Sequence, residues 1–435
     1  MIRILKKSDD ISSFFRSLEM RSPTENAPVI EAVKEIVAKV RGGGRSGLLE
    51  LRQQFEAVPA DSQLTFRSSD LEELATLCPK AVADTILQSI DRVRKYHQIQ
   101  VDETRWITIN SSRFASRVQP LDSVALYVPG GKAFYPSSVV MSAVPAQVAG
   151  VERLVIFTPA RSLTDPVFAA TVCALGIDEI HAVGGAQAVA AATFGVEGIE
   201  RCDKIVGPGN IFVATAKQLL AGRIGIDGFA GPSEILILSD GSSPTSWIAS
   251  DLLAQAEHDE EASAVLITTD EEEAQRISSF LDKNLDEICR ERSVIARESL
   301  EKWGAICVVQ NREQLVEFAN RMNAEHLHIQ TRCAQEPEGE KFWLSALRGV
   351  GAIFLGRWTA ESFGDYLAGP SHVLPTAGTA RFSSPLGVYD FVRRSSVLSM
   401  SAADCQSLSG PTALFADAER LWAHSAAAIA RGENK

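Results

Sequence analysis

The 435-residue chain is long for a single hydrophobic core and is expected to form at least two lobes. Hydrophobic residues make up 45% and charged residues 23%, an ordinary globular balance that argues against wholesale disorder. A net charge of −12, with no basic run beyond a pair such as Lys6-Lys7, argues against nucleic acid and anionic membranes as partners.

The first residues, Met1 to Lys7 and then Asp9-Asp10, contain no long apolar region, so no secretory signal is expected. No run of apolar residues reaches the ~18 needed to span a membrane. Cys78, Cys173, Cys202, Cys289, Cys307, Cys333 and Cys405 are scattered, and no two fall in a C-x-x-C spacing. That pattern suits reduced thiols in a cytoplasmic protein rather than a disulfide framework or a cysteine zinc site.

Residues 27–58 read as helices, with Ala32, Val33, Ile36, Val37 and Val40 forming an apolar stripe. Strands are then predicted at Val124–Val128, Leu154–Thr158, Glu179–Val183, Lys204–Val206, Ile235–Leu238, Ala264–Thr268, Ala305–Val309, Leu327–Gln330 and Ala352–Leu355. Helical patterns fall between most of them, at 138–149, 185–194, 211–221, 246–258, 271–288 and 312–322. This alternation predicts an α/β fold of two Rossmann-like βαβ lobes with mostly parallel sheets. An N-terminal helical segment and a C-terminal helical arm complete it. The expected division is an N-terminal arm over 1–29, a main lobe from 30–123 and 236–378, a second lobe over 124–235, and a C-terminal arm over 379–435. The arm should carry helices around 399–406 and 411–431.

Gly42-Gly43-Gly44-Arg45-Ser46-Gly47 matches G-x-G-x-x-G, but a helix precedes it where the dinucleotide fingerprint needs a strand. It is read as a helix C-cap and loop. Better ligand loops follow predicted strands: Tyr127-Val128-Pro129-Gly130-Gly131, Gly184-Gly185-Ala186-Gln187 and Gly207-Pro208-Gly209-Asn210. Glycines there let a ligand approach the backbone, and free N–H groups of a following helix favour anionic groups.

Of the seven histidines, His97 and His181 lie in no polar cluster and read as structural or surface residues. Gln255 and His258 are spaced to leave one helix face. Glu325-His326 pairs a carboxylate with an imidazole, a combination suited to acid–base chemistry. His328 shares a strand face with His326 and reads as a packing residue. Asp365 and His372 lie in one loop-rich segment, and Glu419 and His424 in the C-terminal helix. From spacing alone Glu419 and His424, five apart, are surface residues by default.

Together these segments resemble the histidinol dehydrogenase family, continuously from about residue 30 to the end. The resemblance rests on Ala125-Leu126-Tyr127-Val128-Pro129-Gly130-Gly131, on Asp203 to Asn210, and on Ile226-Asp227 through Ala230-Gly231-Pro232-Ser233-Glu234. It rests equally on Ala254 to Asp259, Glu325-His326-Leu327, and Gly364-Asp365-Tyr366 through Pro370 to Thr376. It implies oxidation of L-histidinol through L-histidinal to L-histidine, with one hydride passed to NAD⁺ in each step. It also implies a cytoplasmic homodimer with one Zn²⁺ per active site, held by Gln255, His258, Asp365 and, from the partner subunit, His424. By the same resemblance Glu325 and His326 are the catalytic pair. Ser233, His372 and Glu419 contact substrate alongside the metal ligands and His326, and Tyr127, Gln187 and Asn210 contact NAD⁺. The chain departs from many relatives in having Ala324 where they carry proline. Two rivals are an NAD-dependent dehydrogenase of another polar alcohol, such as a sulfonated diol, and a zinc-binding paralogue without catalysis. Glu419 and His372 argue against the first, and the intact Glu325-His326 pair against the second.

Overall fold

The structure is a computed structural model that describes residues 2–21, 26–59, 61–130, 135–228 and 231–432. Gly131 and Ala230 of the motifs above lie outside the described residues.

The apolar runs of the sequence become strands buried on both faces. Ile235 and Ile237 enter one core and Leu236 and Leu238 another, all without solvent exposure. That is the signature of a sheet covered by helices on both sides. Glu234–Ser239 is the pivot of a six-stranded, wholly parallel sheet. Its strands run, in spatial order, Arg3–Leu5, Ala305–Val308, Ser263–Thr268, Glu234–Ser239, His326–Gln330 and Ala352–Leu355. A second six-stranded sheet is built around Ser123–Tyr127. It runs Thr65–Phe66, Glu179–Ala182, Arg153–Thr158, Ser123–Tyr127, Lys204–Val206 and Gly225–Ile226, with only Thr65–Phe66 antiparallel. All nine predicted strands are present, displaced at their ends by no more than one residue.

Each sheet reverses its winding beside its central strand. The chain crosses from Ser123–Tyr127 outward on one side, then returns to Lys204–Val206 on the other. Glu234–Ser239 and His326–Gln330 make the matching pair in the parallel sheet. Such reversals leave a crevice between diverging loops.

The helical ends of the molecule pack differently from the expectation. Arg3–Leu5 pairs with Ala305–Cys307, and Ile11, Phe14, Phe15 and Leu18 of helix Ser8–Glu19 enter the core of the parallel sheet. The first residues are therefore part of that lobe rather than an arm. Helix Ala27–Glu56 instead sends Val33, Ile36, Val40, Leu48 and Leu51 onto the mixed sheet, and helix Lys80–Gln98 sends Ile90 and Val93 to that sheet's other face. Residues 27–98 thus belong with 123–226, not with 236–378. The glycine run at 42–47 ends one helix and begins the next with no loop between them: Ala27–Glu56 is two helices meeting at a kink, where Gly44 is non-helical with φ +54° and ψ −136°.

A three-stranded antiparallel sheet, absent from the expectation, joins Arg105–Ile109, Ser112–Pro120 and Val392–Ser399. The tail helices follow it as Ala402–Ala418 and Trp422–Gly432. They break at residues 419–421, where Arg420 takes φ +61°, and not near Pro411, which lies inside the first helix. No helix among the described residues is long and apolar enough to cross a membrane.

Candidate active site

The backbone of Glu234, at the start of the pivot strand, holds two side chains from the neighbouring strand. Its N–H donates to Glu325 Oε2 at 2.9 Å. Its carbonyl stands 3.1 Å from His326 Nδ1. A carbonyl can only accept, so Nδ1 carries a proton and the lone pair of the opposite nitrogen, Nε2, is left for proton abstraction. The register makes this possible, since Ile235 pairs with His326 in the parallel ladder. Burial pushes the Glu325 carboxyl well above the usual carboxylate range and the His326 imidazole down to about 4. Burial keeps the imidazole in its neutral, proton-accepting form.

A second group converges beside this pair. Gln255 lies near the end of helix Thr245–Ala256, fully buried, and neither atom of its amide has a hydrogen-bond partner. The N–H of His258 donates to the Gln255 carbonyl at 3.2 Å, turning the chain so that the ring follows one turn later. Helix Glu361–Tyr366 packs against Thr245–Ala256. A ring nitrogen of His258 and one carboxylate oxygen each from Glu361 and Asp365 then lie within 4.8 Å of one another. Glu361 Oε1 is also 3.7 Å from His326 Nδ1, which joins the two groups, and its Oε2 is buried without a partner. Burial raises the Glu361 carboxyl well above its ordinary range. Each orphaned buried polar atom costs roughly 1–3 kcal/mol. An imidazole and two carboxylates around one point, with a buried, unpartnered amide three residues before the imidazole, suit a divalent cation with nitrogen and oxygen ligands, zinc among them.

His372 stands on the same segment as Asp365. Its Nδ1 donates to the Asp365 carbonyl at 3.0 Å, and its Nε2 lies 3.4 Å from Ser138 Oγ. Ser138 is in helix Pro136–Ala149 of the mixed sheet's lobe, so this contact crosses between lobes. Ser233 immediately precedes the pivot strand and is part-buried, its carbonyl accepting from Ser263 N–H at 3.0 Å. A cavity of about 600 Å³ opens beside these residues, lined from both lobes by Ile86, Tyr135, Val140, Glu257, His258 and Tyr366. That volume suits a small molecule.

At the carboxyl ends of the mixed sheet, the Tyr127 hydroxyl accepts from Gly185 N–H at 3.0 Å, and Gln187 Nε2 donates to Glu56 Oε1 at 3.2 Å. Asn210 is exposed and caps helix Ile211–Leu220, its Oδ1 accepting from the N–H groups of Phe212 and Val213. Tyr127 and Gln187 are thus buried and Asn210 exposed, each following or ending a strand of the mixed sheet. Glu419 and His424 are not brought to the buried group. Both are exposed on the C-terminal helical pair. Around them Leu414, Phe415 and Trp422 are 74%, 70% and 65% exposed, an apolar surface that this chain leaves uncovered.

His97 donates from Nδ1 to the Val93 carbonyl, His181 is held between Thr65 and Glu179, and His328 between Gly356, Gln330 and Asp251. All three are buried structural histidines. Sequence reasoning missed Glu361, Ser138 and Glu56. Glu361 had a usable signal, since it precedes Asp365 by one helical turn and shares its face. Ser138 and Glu56 had none, because their partners are distant in sequence.

The family model for histidinol dehydrogenase matches residues 19–432. Histidinol dehydrogenase of Pseudomonas aeruginosa is 44% identical over 409 residues, covering 92% of this chain and 90% of the relative. That of Hydrogenovibrio crunogenus is 44% identical over 437 residues, covering 98% and 99%. Among solved structures, histidinol dehydrogenase from Elizabethkingia anophelis superposes with a TM-score of 0.90 at 28% identity, covering 99% of this chain and 98% of that one.

Proposed function

The chain belongs to the histidinol dehydrogenase family, and on that premise we propose that it oxidises L-histidinol through L-histidinal to L-histidine in the cytoplasm, passing one hydride to NAD⁺ in each of two steps. The observation that carries this reading is the backbone of Glu234 holding a carboxylate and an imidazole beside the converging His258, Glu361 and Asp365, with the unpartnered amide of Gln255 on the helix that leads to His258.

Gln255, His258 and Asp365 would hold zinc, with His424 supplied by a second copy of the chain. Bound there, zinc supplies a fixed positive charge that orients a substrate bearing an imidazole and an amine. His326 takes the alcohol proton at Nε2 as hydride leaves the carbon. Its bond to the Glu234 carbonyl fixes the ring for that transfer. Glu325 takes a proton from the water that adds to the aldehyde, and the resulting hydrate loses the second hydride. Ser233, His372 and Glu419 position the substrate, and Tyr127, Gln187 and Asn210 the cofactor. The exposed Leu414, Phe415 and Trp422 beside Glu419 and His424 support a homodimer in which the tail completes its partner's site.

The test is stoichiometry. L-histidinol with zinc and excess NAD⁺ should yield two NADH for each histidine formed. Preferential oxidation of a sulfonated diol, or no turnover at all, would overturn the reading.

A further inference from the structure

Glu56 is a carboxylate in a place its own helix disfavours. It is the last residue of Ala27–Glu56, where the negative end of the helix dipole repels an anion. The chain turns sharply straight after it, with Ala57 at φ +54°. The side chain reaches the mixed sheet's carboxyl end, where Oε1 accepts from Gly184 N–H at 2.9 Å and from Gln187 Nε2 at 3.2 Å. The Ala160 backbone also hydrogen-bonds this carboxyl, which burial pushes above its usual range. Oε2 is buried without a hydrogen bond of good geometry. Arg52, one turn earlier, spends its guanidinium on the carbonyls of Ser62 and Gln63, at 3.0 and 2.9 Å, and acts on Glu56 through its charge rather than through a hydrogen bond.

This occupation decides what the loop can bind. The free N–H groups opening helix Gly185–Phe194 would otherwise attract a phosphate. One of them, Gly184, is bound to Glu56, and the next, Gly185, to the Tyr127 hydroxyl. A second anion here would meet a carboxylate at close range. The neighbouring groups suit hydroxyls instead. The Tyr127 oxygen accepts from Gly185, so its proton is left to donate. The donor end of Gln187 faces Glu56, while its Oε1 lies over Gly185, where a Cβ would stand only 2.5 Å away. With φ at +67°, Gly185 is the residue that lets the amide lie there. A donor, an acceptor and a carboxylate oxygen without a well-aligned donor match a ribose diol, whose hydroxyls both give and accept hydrogen bonds.

We propose that Glu56 selects the cofactor: it holds the Gln187 amide in place, receives a hydroxyl of a ribose diol, and repels a cofactor phosphorylated on that ribose. The enzyme therefore takes NAD⁺ and rejects NADP⁺. This inference rests on the reading that the dinucleotide lies over these glycine turns.

The test compares the kcat/KM for NAD⁺ with that for NADP⁺ in the full-length zinc-loaded enzyme. Glu56→Gln can keep the hydrogen bond from Gly184 while removing the charge. The NAD⁺/NADP⁺ ratio should fall by about tenfold or more, mainly through KM. Glu56→Asp, which keeps the charge, should retain most of the preference. If Glu56→Gln lowers both values in parallel, Glu56 is only a structural cap and the proposal is overturned. Tyr127→Phe then separates the two levels. If it weakens NAD⁺ binding, the cofactor is correctly placed and only the role of Glu56 falls. If it does not, the placement falls too. Wild-type protein gives a test independent of any variant's folding: ADP-ribose should bind at least about tenfold tighter than its 2′-phosphorylated counterpart, and equal binding would overturn the proposal.

Discussion

Replacing Glu325 by glutamine should separate the two proposed oxidations. In the structure, Glu325 Oε2 accepts one hydrogen bond, from Glu234 N–H at 2.9 Å, and an amide oxygen can accept the same bond. The side chain is fully buried and keeps its size, so unfolding in denaturant should shift by less than about 1 kcal/mol. What is lost is the base. General-base catalysis typically contributes about 10²–10⁴-fold, equivalent to about 3–5 kcal/mol of barrier at ~1.4 kcal/mol per decade. That loss should fall on the aldehyde step, which needs an activated water, and spare the alcohol step, whose proton goes to His326. Single-turnover NADH formation from L-histidinol measures the first, and turnover of L-histidinal the second. Equal losses in both steps would refute the division of labour. So would a loss of folding stability large enough to explain the inactivity.

Dialysis against a chelator should abolish turnover, and added zinc should restore it with calorimetric uptake of about one ion per chain; full activity in rigorously metal-free protein would sink the metal assignment. His258→Ala and His424→Ala homodimers should each be nearly inactive, yet mixing and re-annealing them should restore about a quarter of wild-type activity, since heterodimers carry one intact site. Failure to recover, with heterodimers demonstrated, would confine the tail to its own chain. Phe15→Ala should destabilise the protein by about 3–5 kcal/mol in denaturant titrations, because Phe15 is buried and stacks on Phe318 at 5.2 Å; a shift below 1 kcal/mol would show that the first helix is peripheral.

The two parallel-stranded halves were legible because their strands are short β-branched runs between helical patterns, as in Ile235–Leu238. The packing of the first hundred residues was not. Phe14 and Phe15 reveal an apolar face, but nothing in a linear pattern says which sheet it covers. Residues 105–120 and 392–399 alternate weakly and are largely exposed, so their antiparallel sheet left little hydrophobic signal. The site was legible only through its family motifs. His326 opens its strand and Glu325 immediately precedes it, so the pair lies at an amino end, whereas open α/β sheets usually bind ligands at the carboxyl ends. Spacing could not show that Gln255 is left without partners or that Glu361 joins His258, since both facts arise from the docking of two helices.

The hold on Glu325 and His326 comes from the main chain of residue 234, and amino-acid exchange cannot easily remove it. Any side chain at 234 leaves the carbonyl in place, and any but proline leaves the N–H. The sequence at that position can drift, provided its side chain packs, without releasing the acid–base pair. The grip is instead exposed to anything that slides the Glu234–Ser239 strand past His326–Gln330, because a slip of one register would loosen both groups at once. Damage to this pair should therefore arise from distant core substitutions that disturb strand alignment. It should appear as joint loss of both oxidation steps, a pattern that substitution of Glu325 alone would not produce. A backbone amide-to-ester replacement at residue 234 is the chemical change that would free the carboxylate while leaving His326 bound.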